Sequence, residues 1–438
     1  MKPLQVGIVG FGTVGKGVWD VLRRNEEEIT RRAGRPIRVT WVATRTLDRA
    51  RSGTRGATDV NLTNDPAIVV EHPDVDIVCE LIGGIEPART LVMTAIAHGK
   101  HVVTANKALL AQHGNEIFEA ASAKGVMVAF EAAVAGGVPI IKALREGLTA
   151  NRIEWIAGII NGTSNFILSE MRATGATFAT VLKEAQARGY AEADPTFDVE
   201  GIDAAHKLSI MSAIAFGVPM QFDKAYAEGI SKLAREDIRY AEELGYRIKL
   251  LGITRRAKDG IELRVHPTLI PQRRLIANVE GAMNAVLVMG DAVGATLYYG
   301  AGAGAEPTAS AVIGDLVDVT RMHTADPEHR VPHLAFQPDQ MSNLPFLPMG
   351  DVETSYYLRM RVEDKPGVLA DITRILADRE ISIDAMIQKE PEEGEAQTDI
   401  ILLTHRSIEN RLTDAIARIE ALPTVRGKIV RIRMEQLN

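Results

Sequence analysis

Acidic and basic side chains crowd into residues 189–207 at a density that could support acid–base chemistry on a small substrate. A helix that begins near Gly201 would place Asp203 and Lys207 one turn apart on one face. As a structural feature, such a pair is a helix ion pair that contributes about 0.3–0.5 kcal/mol. The functional interpretation of the same residues is that the carboxylates of segment 189–207 hold a cationic group of the substrate while Lys207 transfers a proton.

Lys107 is a second candidate for proton handling. It follows residues 103–106, which close a strand–helix unit, and ligands of parallel sheets bind beyond the carboxyl ends of the strands. A lysine in general transfers protons near neutrality only when burial or a positive neighbour favours its neutral form. Lys107 is our candidate for the positive neighbour of Lys207, and the alternative is a surface lysine at the start of a helix.

A glycine fingerprint near the N-terminus predicts a dinucleotide site. Gly10, Gly12 and Gly15 follow a short apolar strand and open a helical pattern, which is the context that this motif requires. The first glycine permits the tight turn, the second lets the backbone approach a pyrophosphate, and the third allows close packing of helix and strand. The helix N-terminus then faces the negative charge of the ligand.

The choice of cofactor depends on the end of the second strand. NAD enzymes place Asp or Glu there for the ribose 2′-hydroxyl, whereas NADP enzymes favour Arg. Here residues 41–43 are followed by Thr44 and Arg45, and Asp48 is the first acidic residue. Arg45 therefore predicts NADP, with NAD possible, and the alternative is a solvated arginine at a strand end.

The elements that must position these residues alternate between strand and helix over residues 1–135. Such alternation predicts an α/β fold with a doubly wound parallel sheet, a Rossmann domain. The predicted strands are 4–9, 37–43, 76–82, 101–104 and 126–130, and the predicted helices include 86–98 and 108–123.

Residues 136–330 have a mixed pattern that predicts an α+β domain for substrate binding and dimerisation. Small residues cluster at 300–304, immediately before a predicted helix. The predicted helices are 136–148, 178–188, 202–216, 235–251 and 308–321, and the predicted strands are 154–160, 261–269 and 285–288.

Residues 331–353 contain four prolines between Pro332 and Pro348 and predict a linker. The remainder, 354–438, predicts a separate ferredoxin-like module with the order βαββαβ. Its predicted elements are strand 356–362, helix 367–379, strands 381–387 and 398–404, helix 407–421 and strand 428–433, with a solvated hairpin loop at 389–397.

Composition excludes several classes of function. The chain has 438 residues and a formal net charge of −7, which argues against a basic nucleic-acid-binding face. Its one cysteine, Cys79, lies in an apolar strand pattern, so it is interpreted as core and not as a nucleophile. No apolar run is long enough for a membrane span. The apolar N-terminal stretch is broken by glycines, which favours a cytoplasmic protein over a secreted one.

With these motifs the sequence resembles the homoserine dehydrogenase family over essentially its whole length. The resemblance rests on residues 10–15, 104–107, 161–165 and above all 189–207, whose Asp194-Pro195, Asp198, Gly201, Asp203 and Lys207 match the family signature. It implies the interconversion of L-homoserine and L-aspartate 4-semialdehyde with NAD(P), within threonine and methionine biosynthesis.

The resemblance also implies roles for individual residues. Glu192 and Asp198 would engage the substrate, Asp203 and Lys207 would lie at the reacting oxygen, and Lys107 would lie opposite. A sodium ion would be held by Glu131 with main-chain oxygens of Val134, Gly136 and Val138, a set that suits a hard cation. The residues expected at the cofactor are Gly10, Gly12, Thr13, Val14, Gly15, Arg45, Gly83, Thr104, Lys107 and Gly302.

The C-terminal module resembles an ACT domain, a regulatory fold that binds amino acids. The resemblance rests on the βαββαβ order and on residues 363–369 at the first strand-to-helix turn. It implies feedback control by threonine and, because such modules pair side by side, a homodimer or homotetramer. The alternative is a dimerisation module without an effector.

Two rival interpretations of the whole chain are another NAD(P) oxidoreductase of a small amino acid, such as an aspartate dehydrogenase, and a regulatory protein that has lost catalysis. The combination of Asp198, Asp203 and Lys207 argues against the first. The presence of Lys107, Asp203 and Lys207 argues against the second.

Overall fold

The fold is taken from a computed structural model, which describes residues 2–389 and 395–438. The chain forms two compact units, each built from three separate segments. The first unit comprises Met1–Gly162, Asp203–Ala225 and Ala282–Leu344, and the second comprises Thr163–Ile202, Tyr226–Gly281 and Pro345–Asn438.

A parallel sheet organises the N-terminal part of the first unit and confirms the predicted doubly wound fold. The strand Leu4–Val9 lies between Ile37–Ala43 and Ile77–Glu80. Successive strands are therefore added first on one side of Leu4–Val9 and then on the other, and sheets of this kind bind ligands at the point where the direction changes. From one edge to the other, the strands are Asn61–Thr63, Ile37–Ala43, Leu4–Val9, Ile77–Glu80, His101–Thr104 and Val128–Ala129.

Helices cover this sheet and bury its apolar strands. Val6, Ile8 and Ile77 are fully buried, as expected when both faces of a parallel sheet are covered. The helices of the first unit are Thr13–Arg24, Glu26–Ala33, Leu47–Gly53, Pro66–Glu71, Ala88–Ala97, Lys107–Lys124, Ile140–Lys142, Ile202–Phe216 and Ala305–Met322, with a π-helical turn at Ala143–Gly147.

Antiparallel strands complete the first unit. Met283–Gly290 pairs with Ile153–Ile159 on one side and with Gly294–Ala301 on the other. The last of these was not predicted, because its small and aromatic residues do not alternate between apolar and polar.

The C-terminal module in the second unit has the predicted ferredoxin-like order. Its strands lie in the order Val425–Met434, Glu353–Glu363, Gln397–Thr404 and Ile383–Gln388, all antiparallel. The helices Val368–Ala377 and Glu409–Glu420 pack their apolar faces on this sheet, with Ile372, Leu376, Leu412 and Ile419 buried in one core.

A hairpin of two long strands, Tyr246–Ala257 and Gly260–Pro271, continues this sheet through a parallel contact with Val425–Met434. The predicted helix 235–251 is therefore wrong in its second half, since the helix ends at Glu243. Gly245 adopts a left-handed conformation with φ of 80°, and the next residues pair along the hairpin. The other helices of the second unit are Gly162–Thr174, Phe178–Ala187 and Thr196–Val199.

The division of the chain at residues 135, 330 and 353 stays a prediction. Residues 136–330 contribute to both units, and the predicted linker is divided between them at Leu344. Of the predicted loop 389–397, residues 390–394 lie outside the described residues. Within the described part of the chain, no helix combines the length and apolarity that crossing a bilayer requires.

Candidate active site

The glycine-rich turn has the shape that close approach of a ligand requires. Gly10 has a φ of 105°, and a Cβ atom there would lie 2.7 Å from the carbonyl of Leu81. A Cβ atom on Gly15 would overlap the carbonyl oxygen of Gly10, so this position needs glycine for helix–strand contact. A Cβ atom on Gly12 would instead point into open space, which leaves the backbone accessible to a pyrophosphate.

The helix that follows this turn begins with Thr13 and Val14, and Gly12 caps it without a side chain. Its first amide groups and its dipole therefore face outward at the carboxyl end of the first strand, where an anion is favourable. Further along, a Cβ atom on Gly17 would lie 2.5 Å from the carbonyl oxygen of Ala305, so this glycine lets helix Ala305–Met322 pack closely.

A buried carboxylate, Glu80, joins the loops that follow two neighbouring strands. One of its oxygens accepts hydrogen bonds from the backbone N–H groups of Ile82 (2.9 Å) and Gly83 (3.2 Å), and the other accepts one from the hydroxyl of Thr104 (2.7 Å). Gly83 itself has a φ of 72°. Glu80 thus positions the loop that contains Gly83 and the end of the strand that contains Thr104.

Asn106 carries this network to Lys107. Its amide donates to the carbonyl of Gly84 (2.7 Å), and its side-chain oxygen accepts from the N–H of Leu109 (3.1 Å) as an N-cap. The N–H of Asn106 in turn donates to the hydroxyl of Thr104. Lys107 is the first residue of the capped helix, so this network fixes the position of its backbone.

Asp203 lies at the centre of the predicted catalytic group. Its carboxylate contacts the ammonium of Lys207 at 2.7 Å and the ammonium of Lys107 at 3.2 Å, and it accepts a hydrogen bond from the amide of Asn161 at 2.9 Å. Burial alone would raise the pKa of this carboxyl, but the two lysines lower it more, to about 2. Asp203 is therefore ionised at neutral pH.

Lys207 is held from two sides. Its Nζ donates to Asp203 and to the carbonyl oxygen of Ile160, at 2.8 Å for the latter. The side chain is only 12% exposed, whereas that of Lys107 is 33% exposed. Two of its N–H positions are thus directed at these acceptors, and the third position of the nitrogen is left for a substrate hydroxyl.

Two other titratable side chains near these residues are not placed for catalysis. The ring of His206 packs on Phe222 with centroids 4.1 Å apart, and burial lowers the pKa of this histidine to about 4, so it is neutral. Cys79 is fully buried in its strand, and burial raises the pKa of its thiol. The interpretation of Cys79 as a core residue is confirmed.

The predicted substrate residues Glu192 and Asp198 belong to the second unit, whereas Asp203 and Lys207 belong to the first. The Asp198 carboxylate accepts a hydrogen bond from the hydroxyl of Thr163 at 3.3 Å. The side chain of Glu192 is exposed. Their role in substrate binding stays a prediction.

Arg45 and Gly302 were predicted at the cofactor. Arg45 is exposed immediately after the strand Ile37–Ala43, as the prediction requires. Gly302 is packed tightly, since a Cβ atom there would overlap the side chain of Asn284. Gly302 precedes the helix Ala305–Met322 and packs against Gly136. Because glycine has no side chain, it could contact a cofactor only through its main-chain N–H and carbonyl groups.

The turn predicted to bind sodium is only partly suited to it. The two carboxylate oxygens of Glu131 accept hydrogen bonds from the N–H groups of Ile141 (2.9 Å) and Lys142 (2.7 Å), so this side chain caps the following turn. The carbonyl oxygens of Val134, Gly136 and Val138 are the kind of ligand that a hard cation takes, and that of Val138 also accepts the N–H of Ile140 at 2.8 Å. Among the described residues, no cluster of three or more His, Cys, Asp or Glu side chains could hold a metal.

Sequence reasoning missed Glu80, Asn106 and Asn161 as members of the site. Glu80 and Asn106 could have been found from the sequence, because ligands of parallel sheets bind at the carboxyl ends of the strands. Glu80 is the last residue of the strand Ile77–Glu80, and Asn106 comes shortly after the strand His101–Thr104. Asn161 is adjacent to the strand Ile153–Ile159 and lies within a segment that carries the family resemblance. Only its contact with Asp203 reveals its role.

Comparison with known proteins shows which family the chain resembles. Family models described as homoserine dehydrogenase, as its NAD binding domain and as the ACT domain match residues 139–317, 10–131 and 356–424. The chain is similar to the homoserine dehydrogenase of Pseudomonas aeruginosa, 64% identical with 100% of both chains covered. A homoserine dehydrogenase structure from Thiobacillus denitrificans is 73% identical with a TM-score of 0.96, over 100% of this chain and 99% of that one. One from S. aureus is 31% identical with a TM-score of 0.74, over 99% of both.

Proposed function

The chain belongs to the homoserine dehydrogenase family, and on this premise we propose that Lys107, Asp203 and Lys207 perform its acid–base chemistry on L-homoserine and L-aspartate 4-semialdehyde. The observation that carries the proposal is the contact of one buried carboxylate with both lysines. The protein is an NAD(P)-dependent oxidoreductase.

When bound, a nicotinamide cofactor supplies the acceptor for the hydride that leaves the terminal carbon of homoserine. The residues of the chain handle the proton. Lys207 takes the hydroxyl proton as the carbonyl forms and returns it in the reverse direction, while its bonds to Asp203 and to Ile160 hold the nitrogen in place. Lys107 stabilises the developing negative charge from the more exposed side.

We propose that Glu192 and Asp198 bind the substrate ammonium and its surroundings. The support is the family resemblance of residues 189–207. The hydrogen bond from Thr163 would keep the Asp198 carboxylate in a fixed orientation.

The direct test is homoserine-dependent reduction of NADP and NAD by the purified chain. We expect turnover with homoserine and none with L-aspartate, since an aspartate dehydrogenase would act on the latter. Absence of turnover with either cofactor would refute the proposal, and turnover with aspartate alone would favour the rival oxidoreductase.

We propose that the preferred cofactor is NADP, with Arg45 bound to its 2′-phosphate. Arg45→Ala should raise the KM for NADP by about 10–100-fold, because a charge-assisted hydrogen bond contributes about 1.5–3 kcal/mol. The KM for NAD should not change. Arg49→Ala, which removes an exposed arginine four residues later, is the control. Equal effects of Arg45→Ala on both cofactors would rule out the phosphate contact.

We propose that threonine inhibits the enzyme through the C-terminal module. The support is the match of residues 356–424 to the ACT domain and the ferredoxin-like order of its strands. Millimolar L-threonine is expected to lower homoserine oxidation by the full chain, and D-threonine serves as the matched control. Unchanged rates with L-threonine would leave the module a dimerisation domain.

We propose that the turn at residues 131–138 binds sodium through main-chain oxygens, as the family resemblance implies. A cation that binds only the folded state should stabilise it by about 1 kcal/mol at a concentration about four to five times its Kd, a few degrees in Tm. Thermal unfolding in sodium chloride and in choline chloride at equal ionic strength measures this difference. Identical Tm values in the two salts would contradict the proposal.

The remaining parts of the proposal concern the oligomeric state of the enzyme, its location in the cell and its pathway. We propose a homodimer or homotetramer, which light scattering of the purified chain distinguishes from a monomer. We also propose a cytoplasmic enzyme of threonine and methionine biosynthesis, supported by the family to which the chain belongs.

A further inference from the structure

A cavity of about 660 Å³ lies within the second unit, among residues to which the proposed catalysis assigns no role. Its walls are the last strand Val425–Met434, the helix Glu409–Glu420 and the segment 226–233. This volume is in the range of small-molecule sites. The cavity thus lies where the C-terminal module meets the rest of its own unit.

Most charged side chains that line this cavity are already paired. Glu228 contacts Arg433 at 2.7 Å and accepts the hydroxyl of Tyr226, Arg431 contacts Glu409 at 2.8 Å, and Lys428 contacts Glu420 at 2.6 Å.

Glu200 and Lys232 are the exceptions. Both line the cavity, Lys232 exposed and Glu200 half-buried, and within residues 2–389 and 395–438 neither side chain has an ion-pair partner. The cavity therefore offers one carboxylate and one ammonium for which the protein supplies no counter-charge. Hydroxyls of Ser231 and Thr413 and the apolar side chain of Ile416 complete its lining.

The backbone beside Glu200 keeps its carboxylate at the wall of the cavity. A Cβ atom on Gly229 would overlap this carboxylate, so the position opposite requires glycine. The N–H of Ile230 donates to the carbonyl of Val199 at 2.8 Å, which ties the two segments together.

From this arrangement we propose that the cavity binds a free α-amino acid, with its ammonium on Glu200 and its carboxylate on Lys232. Only a ligand with both charges satisfies both residues, and the hydroxyls and Ile416 then face its side chain. This site differs from the turn at residues 363–369, on which the resemblance to a regulatory module rests.

The location also indicates a consequence of binding, which rests on the proposed function. Arg433 of the C-terminal module pairs with Glu228, and Ile230 bonds to Val199, the neighbour of Glu200. Glu200 precedes Asp203 by three residues in the chain. A ligand held between Glu200 and Lys232 would therefore restrain the segment that leads into the catalytic helix.

Calorimetric titration of the full chain with L-threonine, L-methionine and L-lysine tests the site without reference to activity. We expect at least one of them to bind at up to millimolar concentration. Glu200→Gln and Lys232→Met should each weaken this binding by about tenfold or more, because each removes a charge-assisted contact. The matched controls are Glu184→Gln and Lys183→Met, which change surface residues outside the cavity.

The proposal would be overturned if no probe bound, or if the control variants weakened binding as much as Glu200→Gln and Lys232→Met. It would also be overturned if Asp364→Asn, in the turn at residues 363–369, abolished binding while Glu200→Gln and Lys232→Met left binding unchanged. Homoserine oxidation by the same preparations is measured in parallel without added amino acid. Its absence would refute the proposed function, whereas its presence without binding refutes only the effector site.

Discussion

Replacement of Lys207 by methionine should lower kcat for homoserine oxidation by about 10²–10⁴-fold, the range expected for loss of a general acid–base group. The KM for homoserine should change much less, since other residues are expected to bind the substrate ammonium. Methionine keeps the apolar stem of the side chain, and Asp203 keeps Lys107 and Asn161 as partners, so the fold should tolerate the change. Steady-state kinetics with saturating NADP measure both constants.

Lys107→Met and Lys183→Met provide the comparison. If Lys207 transfers the proton, Lys107→Met should have the smaller effect on kcat, because Lys107 then stabilises charge without taking the proton. Lys183→Met, on an exposed helix position, should leave both constants unchanged. A near-normal kcat in Lys207→Met would remove this lysine from the mechanism, and a larger loss in Lys107→Met would assign the transfer to Lys107.

Asp203→Asn should impair both the activity and the stability of the enzyme. The substitution leaves two ammonium groups near each other without the carboxylate that they share, and removing one partner of a buried ion pair costs about 3–5 kcal/mol. We expect kcat/KM to fall by at least about 10²-fold, because Lys207 also loses an orienting contact. Urea unfolding monitored by fluorescence measures the loss in stability.

The loss of stability in Asp203→Asn should depend on pH in a direction that the pKa of Asp203 sets. The pKa of Asp203 is lowered to about 2 in the folded state, so its ionised form contributes stability above the ordinary pKa of a carboxyl. That contribution is lost as the pH falls towards 2. The stability difference between the wild type and Asp203→Asn should therefore be constant near neutrality and decrease below about pH 4. A difference that does not decrease in acid would show that Asp203 is not the ionised partner of the lysines.

The features predicted correctly from sequence are those set by local spacing. The glycines at 10, 12 and 15 require a turn and a close helix, and the structure places them so. The four-residue spacing of Asp203 and Lys207 sets their contact, because one helical turn aligns them. The order of strands and helices in the C-terminal module followed in the same way from alternating apolar patterns.

The error in the predicted helix 235–251, whose second half is a strand, shows where local patterns fail. The residues after Gly245 have an apolar spacing that a helix could use, but their backbone pairs along twelve residues of a neighbouring strand. That pairing depends on Gly260–Pro271, a later segment whose approach no local pattern reveals. Long-range hydrogen bonding therefore overrides the local preference.

By itself, the sequence determined the cofactor fold, the family and the pairing of Asp203 with Lys207. Only the tertiary structure decided that Lys107, Asn161 and the carbonyl of Ile160 meet that pair, because Lys107 and the segment 160–161 are both distant from Asp203 and Lys207 along the chain. It also decided that Glu80 holds two loops and that Glu131 caps a turn. A buried carboxylate must take its partners from whichever donors the packing of distant segments brings within reach, and spacing along the chain does not encode that packing.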